Sequence, residues 1–287
     1  MDYRFQIARR YLASRREVSL ISIITGISMT GVTLGVAALI VVLSVMNGFY
    51  DFVRDLLVSV DPHVRVVGAE GSGITEADSL LRLARETDGV TMAAPYVEGR
   101  ALLVQKGQTS ANRVVQVRGV ARDAQAAVAP PMSMGQFSLS TQGDGPPGIV
   151  VDEAMGRSLG LMPAGQGQEA GTVGLLSAPA IERTLTQVFG GAPVQRFEVQ
   201  GLFRMQGASQ ERRVFVGLEE AQQLFQTGGR VTGIDLRLNN LDRAETVQSR
   251  LQAHLDSGRY RVETWYDMQQ SLYDVMQLEK WGASAIL

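Results

Sequence analysis

Residues 18–50 read VSLISIITGISMTGVTLGVAALIVVLSVMNGFY and hold no charged side chain, although Glu17 precedes them and Asp51 follows. About 20 apolar residues suffice to cross the hydrocarbon core of a bilayer. As one helix the run is roughly 50 Å long at about 1.5 Å per residue, against a core of about 30 Å. Part of it must therefore tilt, lie at the interface or protrude. The most apolar part, Val32 to Met46, falls toward its far end.

The flanks give the run a direction. Arg4, Arg9, Arg10, Arg15 and Arg16 precede it against only Asp2 and Glu17, while Asp51, Arg54, Asp55 and Asp61 follow. An excess of arginine on the near side puts the amino terminus inside the cell. A cleaved signal peptide fits poorly, because its apolar region spans about 7–15 residues and ends at a small-residue site. Residues 1–17 read as a basic cytoplasmic segment. Phe5, Ala8, Tyr11 and Leu12 share one helical face, which suits a short amphipathic helix on the membrane surface; a disordered basic start serves the orientation rule equally well. Inside the run, Gly31 and Gly35 form a GxxxG and Ala38 continues the same face. Small faces admit a neighbouring helix, although glycine is also common in membrane helices generally.

Lys and Arg total 27 against 29 Asp and Glu, with no cysteine and two histidines. Such balance offers no footprint for nucleic acid. The lack of cysteine excludes a disulfide framework and a cysteine zinc site. No Walker A loop, G-x-S-x-G or H-E-x-x-H is present, so neither catalytic nor metal-ligating residues are assigned. His63, beside Asp61 and Pro62, reads as a structural residue.

Beyond the run, residues 51–62 continue the helical spacing through Phe52, Val53, Leu56 and Leu57 until Pro62 favours a break. A strand at 63–67, a helix opened by Thr75 as a capping box, and a strand from Val90 form one strand–helix–strand unit. Residues 233–238 (GIDLRL), a helix capped by Asp242 and a strand at 260–264 form another. Together, 63–97 and 231–264 predict a split βαβ/βαβ subdomain bracketing a β-rich insertion, 98–230. Within the insertion, 100–105, 113–120, 149–152, 172–176, 197–203 and 213–216 read as strands. Residues 153–159 and 218–225 read as short helices, and 129–148 and 163–171 as loops. Thr264 caps a linking helix, 265–280. Residues 281–287, WGASAIL, look like the start of a second membrane helix, at which the sequence stops. The fold class is therefore α+β: one long transmembrane helix plus an extracytoplasmic domain.

The run GVTLGVAALIVVLSVMNGF, residues 31–49, with Arg4-Phe and Arg10-Tyr-Leu before it, resembles the first membrane helix of the lipoprotein-releasing ABC permeases, the LolC/LolE family. The match continues in DPH (61–63), APY (94–96), RGV (118–120), RFEVQGLF (196–203), VFVGL (214–218), AQQLF (221–225), YRVETW (260–265) and LEK (278–280). The resemblance implies the amino-terminal part of a permease subunit with a MacB-like periplasmic core, in a bacterial inner membrane. It further implies a cytoplasmic ATPase chain holding ATP and magnesium, a second permease subunit of the same or a paralogous kind, lipoprotein substrates and a periplasmic carrier. Val42, Val45, Met46 and Phe49, near the outer end of the span, are then placed to meet lipoprotein acyl chains or membrane lipid. In the family one subunit docks the carrier through a hairpin, here 178–193, which makes Phe189, Gln195 and Arg196 the candidates. Family members carry a tyrosine–aspartate pair before the next strand; residues 205–212 have neither. Another MacB-like permease, an exporter or a mechanotransmitter, and a signal-anchored periplasmic interaction module are the rival readings.

Overall fold

A computed structural model describes residues 20–60, 62–105, 108–140, 145–163, 170–179, 194–204 and 212–268, with Tyr3 and Gln270. The expectations for residues 1–17 other than Tyr3, for 281–287 and for most of 265–280 lie outside these residues. The charge-free run and its extension form one unbroken helix, α1 (Leu20–Val60), of 41 residues. It ends before Pro62, whose ring disfavours helix in the preceding residue. Packing divides the chain into a unit holding α1 through Asp55 and a second unit, Leu56–Tyr273.

In chain order the second unit holds β1 (Val64–Gly68), α2 (Ala77–Glu86), β2 (Val90–Gln105), β3 (Gln108–Val120), α3 (Gln125–Val128), β4 (Met132–Gly135), β5 (Gly148–Asp152) and α4 (Glu153–Ser158). Then come β6 (Thr172–Ser177), β7 (Gln195–Phe203), β8 (Arg213–Gly217), α5 (Leu218–Phe225), β9 (Gly233–Leu238), α6 (Ala244–His254), β10 (Tyr260–Thr264) and α7 (Trp265–Met268). Each strand–helix–strand unit leaves a gap that a strand of the other fills. β1 pairs antiparallel with β9 and β10, and β9 pairs antiparallel with β1 and β2. The order β10-β1-β9-β2 is thus two interleaved split βαβ units. Alternation along each strand sends Val64, Val66, Ile234 and Leu236 to one face, where they bury against Leu80 and Ala84 of α2 and Val247 and Leu251 of α6.

The β-rich part closes on itself. β2 pairs with β3, β3 with β8, β8 with β5, β5 with β7, β7 with β6, and β6 returns to Ala101–Val104 of β2. The hydrogen-bonded ladder is a ring, which removes exposed strand edges along these pairings. Its interior is filled by Leu103, Val117, Leu175, Phe197, Val199 and Val216, all buried. Helix α5 packs against β2, β3, β6 and β8. Two glycines admit it. A Cβ on Gly119 would lie 2.4 Å from the Ala221 side chain, and one on Gly99 would lie 2.7 Å from the Phe225 ring.

Several sequence expectations are corrected in detail. The division expected at 97/98 falls inside β2, which runs unbroken from the βαβ sheet into the ring. Thr75 caps nothing, because Ile74 is held on both sides by Val231 in a β-bridge and α2 starts only after Glu76. Asn240, rather than Asp242, supplies the cap: its side chain accepts from the Asp242 N–H at 2.9 Å and starts a 3-10 turn ahead of α6. The stretch 129–148, which reads as loop in the sequence, contains β4, which pairs with the far end of β7. Thr264 does cap α7. Its hydroxyl accepts from the Asp267 N–H, and the Asp267 carboxylate accepts from the Thr264 N–H at 2.8 Å, a reciprocal capping pair.

Candidate functional site

The residues put forward on the membrane helix lie on one stripe. Positions 31, 35, 38, 42, 45 and 49 are separated by alternating steps of four and three, and α1 carries no break between them. Gly31, Gly35 and Ala38 form its small end. Val42, Val45 and Phe49 form its bulky end, flanked by Met46. Groups of this kind can accept a neighbouring helix at the small end and a flexible apolar chain at the bulky end.

Among the described residues nothing covers the stripe. A Cβ added at Gly31 or Gly35 meets nothing within 4 Å. Val45 is 66% exposed and Phe49 53% exposed. Thr30 and Thr33 do not need outside partners, since each hydroxyl donates to the carbonyl four residues back, Gly26 and Met29, at 2.8 Å. Ser22–Phe49 is long and apolar enough to cross a membrane.

The carrier-docking candidates divide. Phe189 lies outside the described residues. Gln195 and Arg196 open β7, paired with Leu175 and Gly174 of β6, so both stand where the segment 178–193 leaves the ring. Arg196 is exposed and Gln195 half-buried. Gly174 is required there, because a Cβ would lie 2.3 Å from the Val194 methyl and 2.9 Å from that of Val104.

Sequence reasoning missed a charge cluster where the βαβ sheet meets the ring. On the face away from α2 and α6, Arg118 (7% exposed) pairs with Asp235 (4% exposed) and donates to Glu98 at 3.3 Å. Arg65 donates to the other Asp235 oxygen at 2.9 Å. Both guanidinium groups lie over the Tyr96 ring, Arg118 at 4.2 Å and Arg65 at 4.8 Å from its centre. Burial works against the Arg118 charge, but Asp235 and Glu98 outweigh it and raise its pKa. Burial likewise pushes the Tyr96 hydroxyl well above the usual tyrosine range. Its five members come from four strands, β1, β2, β3 and β9, so only the polar alternation of GIDLRL hinted at it. Among the described residues no cluster of three His, Asp or Glu can hold a metal ion.

An apolar helix long enough to cross a membrane, followed in the chain by an interleaved sheet and a β ring, defines a class: an α+β domain with one candidate membrane span. The chain belongs to the MacB-like periplasmic core domain family, whose model matches residues 25–254. It is similar to lipoprotein-releasing system transmembrane protein LolC of Xylella fastidiosa, strain Temecula1, with 30% identity over 279 residues, 96% of this chain and 63% of that protein. LolC of Neisseria meningitidis serogroup B is also 30% identical, over 284 residues, with the same coverage of each chain. Lipoprotein-releasing system transmembrane protein LolE of Haemophilus influenzae is 26% identical over 248 residues, 84% of this chain and 56% of that protein. The chain spans less than two thirds of the length of each of these relatives.

Proposed function

We propose that this chain is part of a permease subunit of an ABC transporter that extracts lipoproteins from the bacterial inner membrane and passes them to a periplasmic carrier. ATP and magnesium belong to a cytoplasmic ATPase partner, and this chain takes no catalytic part. Its amino terminus is cytoplasmic and Leu56–Tyr273 periplasmic. The observation that carries the reading is the unbroken stripe on α1. Its small end, Gly31 to Ala38, suits a helix of a second permease subunit, same or paralogous. Its bulky end, Val42 to Phe49 with Met46, suits an acyl chain, which needs an apolar wall without directional bonds. The likeness to LolC and LolE supports lipoprotein as the substrate, and the arginine asymmetry supports the orientation. Gln195 and Arg196, at the foot of 178–193, are the carrier contacts of this reading.

The test places a charge on the bulky end. A carboxylate costs about 2.5–3.5 kcal/mol at mid-helix and less near the interface, so the helix still inserts. In the full-length transporter, Met46→Asp and Phe49→Asp should retain the ATPase partner and lose co-purified lipoprotein. Lipoprotein retained and released at the normal rate by both variants would overturn the assignment.

A further inference from the structure

The DPH motif remains outside this function, and His63 makes three directional contacts with parts of the domain far from it in sequence. Its backbone N–H donates to the Leu236 carbonyl at 2.9 Å, and its carbonyl accepts from the Trp265 N–H at 2.9 Å. Its ring Nδ1 accepts from the Leu238 N–H at 3.0 Å. One residue therefore joins the segment that follows α1, strand β9, and the junction where β10 passes into α7. The ring contact works in one protonation state only. Nδ1 accepts while it is unprotonated, and a proton there would set one N–H against another.

We infer that His63 is a pH-sensitive clamp, whose ring ties the first segment of the domain to Leu238 of β9 when neutral and loses that one bond when protonated, while the backbone pairing of β1 with β9 persists. Charged groups on the joined elements are arranged for this. Arg237, on β9, opposes a proton on the ring. Asp267, on α7, is committed to the Thr264 N–H and hydroxyl and to Gln248. Arg65, on β1, is paired with Asp235. Burial first, then the Arg237 charge, holds the ring pKa below its ordinary value. The sign follows: between the folded-state pKa and about 6.5 the unfolded chain binds more protons, so the contribution is complete above about pH 6.5 and is lost as pH falls through the folded value.

The experiment uses the full chain in lipid nanodiscs, with amide hydrogen exchange corrected for intrinsic rates from pH 8 to below the His63 transition. Protection at Leu238 should fall as pH drops through the His63 transition, while amides of β9 that bond only to backbone keep theirs. In His63→Asn the side-chain oxygen takes the place of Nδ1 and does not titrate, so protection should stay constant with pH. Independently, 15N spectra of the unaltered chain should show a neutral His63 ring with its proton on Nε2, and Arg237→Gln should move its titration to higher pH. Constant protection in the unaltered chain, an equal pH-dependent loss in His63→Asn, or a ring protonated at Nδ1 when neutral would each overturn the clamp.

Discussion

Helix α1 and the sheet domain solve the same problem in opposite ways. In α1 the helical backbone bonds within its own segment, the hydroxyls of Thr30 and Thr33 turn back onto it, and most of the described apolar side chains are exposed. In the domain no strand is complete alone. β2 needs β9 along its first half, β6 along its second and β3 on its other side, and the Arg118 charge needs Asp235 and Glu98. A self-sufficient helix leaves its surface free for partners, whereas an interdependent sheet spends its side chains on itself. Substitutions in α1 should therefore change association without changing the domain's stability, and substitutions in the domain should do the reverse.

The sharpest way to break that contrast is at the charge cluster. Arg118→Met leaves Asp235 buried with only Arg65; removing a partner from a buried ion pair costs up to about 3–5 kcal/mol. Denaturant unfolding followed by tryptophan fluorescence should show a loss of that size, with part regained in Arg118→Met/Asp235→Asn. A loss below about 1 kcal/mol would mean that the cluster contributes little, as exposed pairs do. A smaller effect is expected where α5 meets the ring. Gly119→Ala drives a methyl against Ala221, and overpacking of this kind costs about 1–3 kcal/mol. An unchanged unfolding midpoint would show that α5 can shift away. The smallest effect belongs to the helix. Thr30→Val with Thr33→Val removes two hydroxyls that bond only their own backbone, so domain stability should stay within about 0.5 kcal/mol and subunit assembly should persist. Lost assembly would show that these hydroxyls reach a neighbouring helix.

Much of this was legible before any tertiary contact was known, for reasons that differ by element. GIDLRL and YRVET alternate because each has one face on the helices, and that alternation located β9 and β10. LEEAQQLF reads as helix α5 because Ala221 and Leu224 recur on its buried side. β4 was hidden because MSMG is short, ends in a glycine at φ +70°, and is stabilised by pairing with β7. The cap at Thr75 is misplaced because a distant residue, Val231, holds Ile74 in a β-bridge, and the cap at Asp242 because Asn240, two residues earlier, accepts from its N–H and starts the turn first. On the candidate site, Gly31, Gly35 and Ala38 were legible as one face and Val42, Val45, Met46 and Phe49 as another. That the two are one stripe required the helix to run unbroken between them.

The sequence by itself determined α1, the two strand–helix–strand units and the polar or apolar face of most strands. An α-helix closes its hydrogen bonds four residues away, and a strand's faces alternate with every residue, so both properties are local. Only the tertiary structure decided the interleaving of the units, the closure of the ring and the charge cluster. Leu102 takes Val114 on one side and Leu176 on the other, and Arg118 finds Asp235 across 117 residues of chain. Strand pairing and buried ion pairs are chosen among distant candidates of similar local pattern, and the packing of the whole domain selects between them.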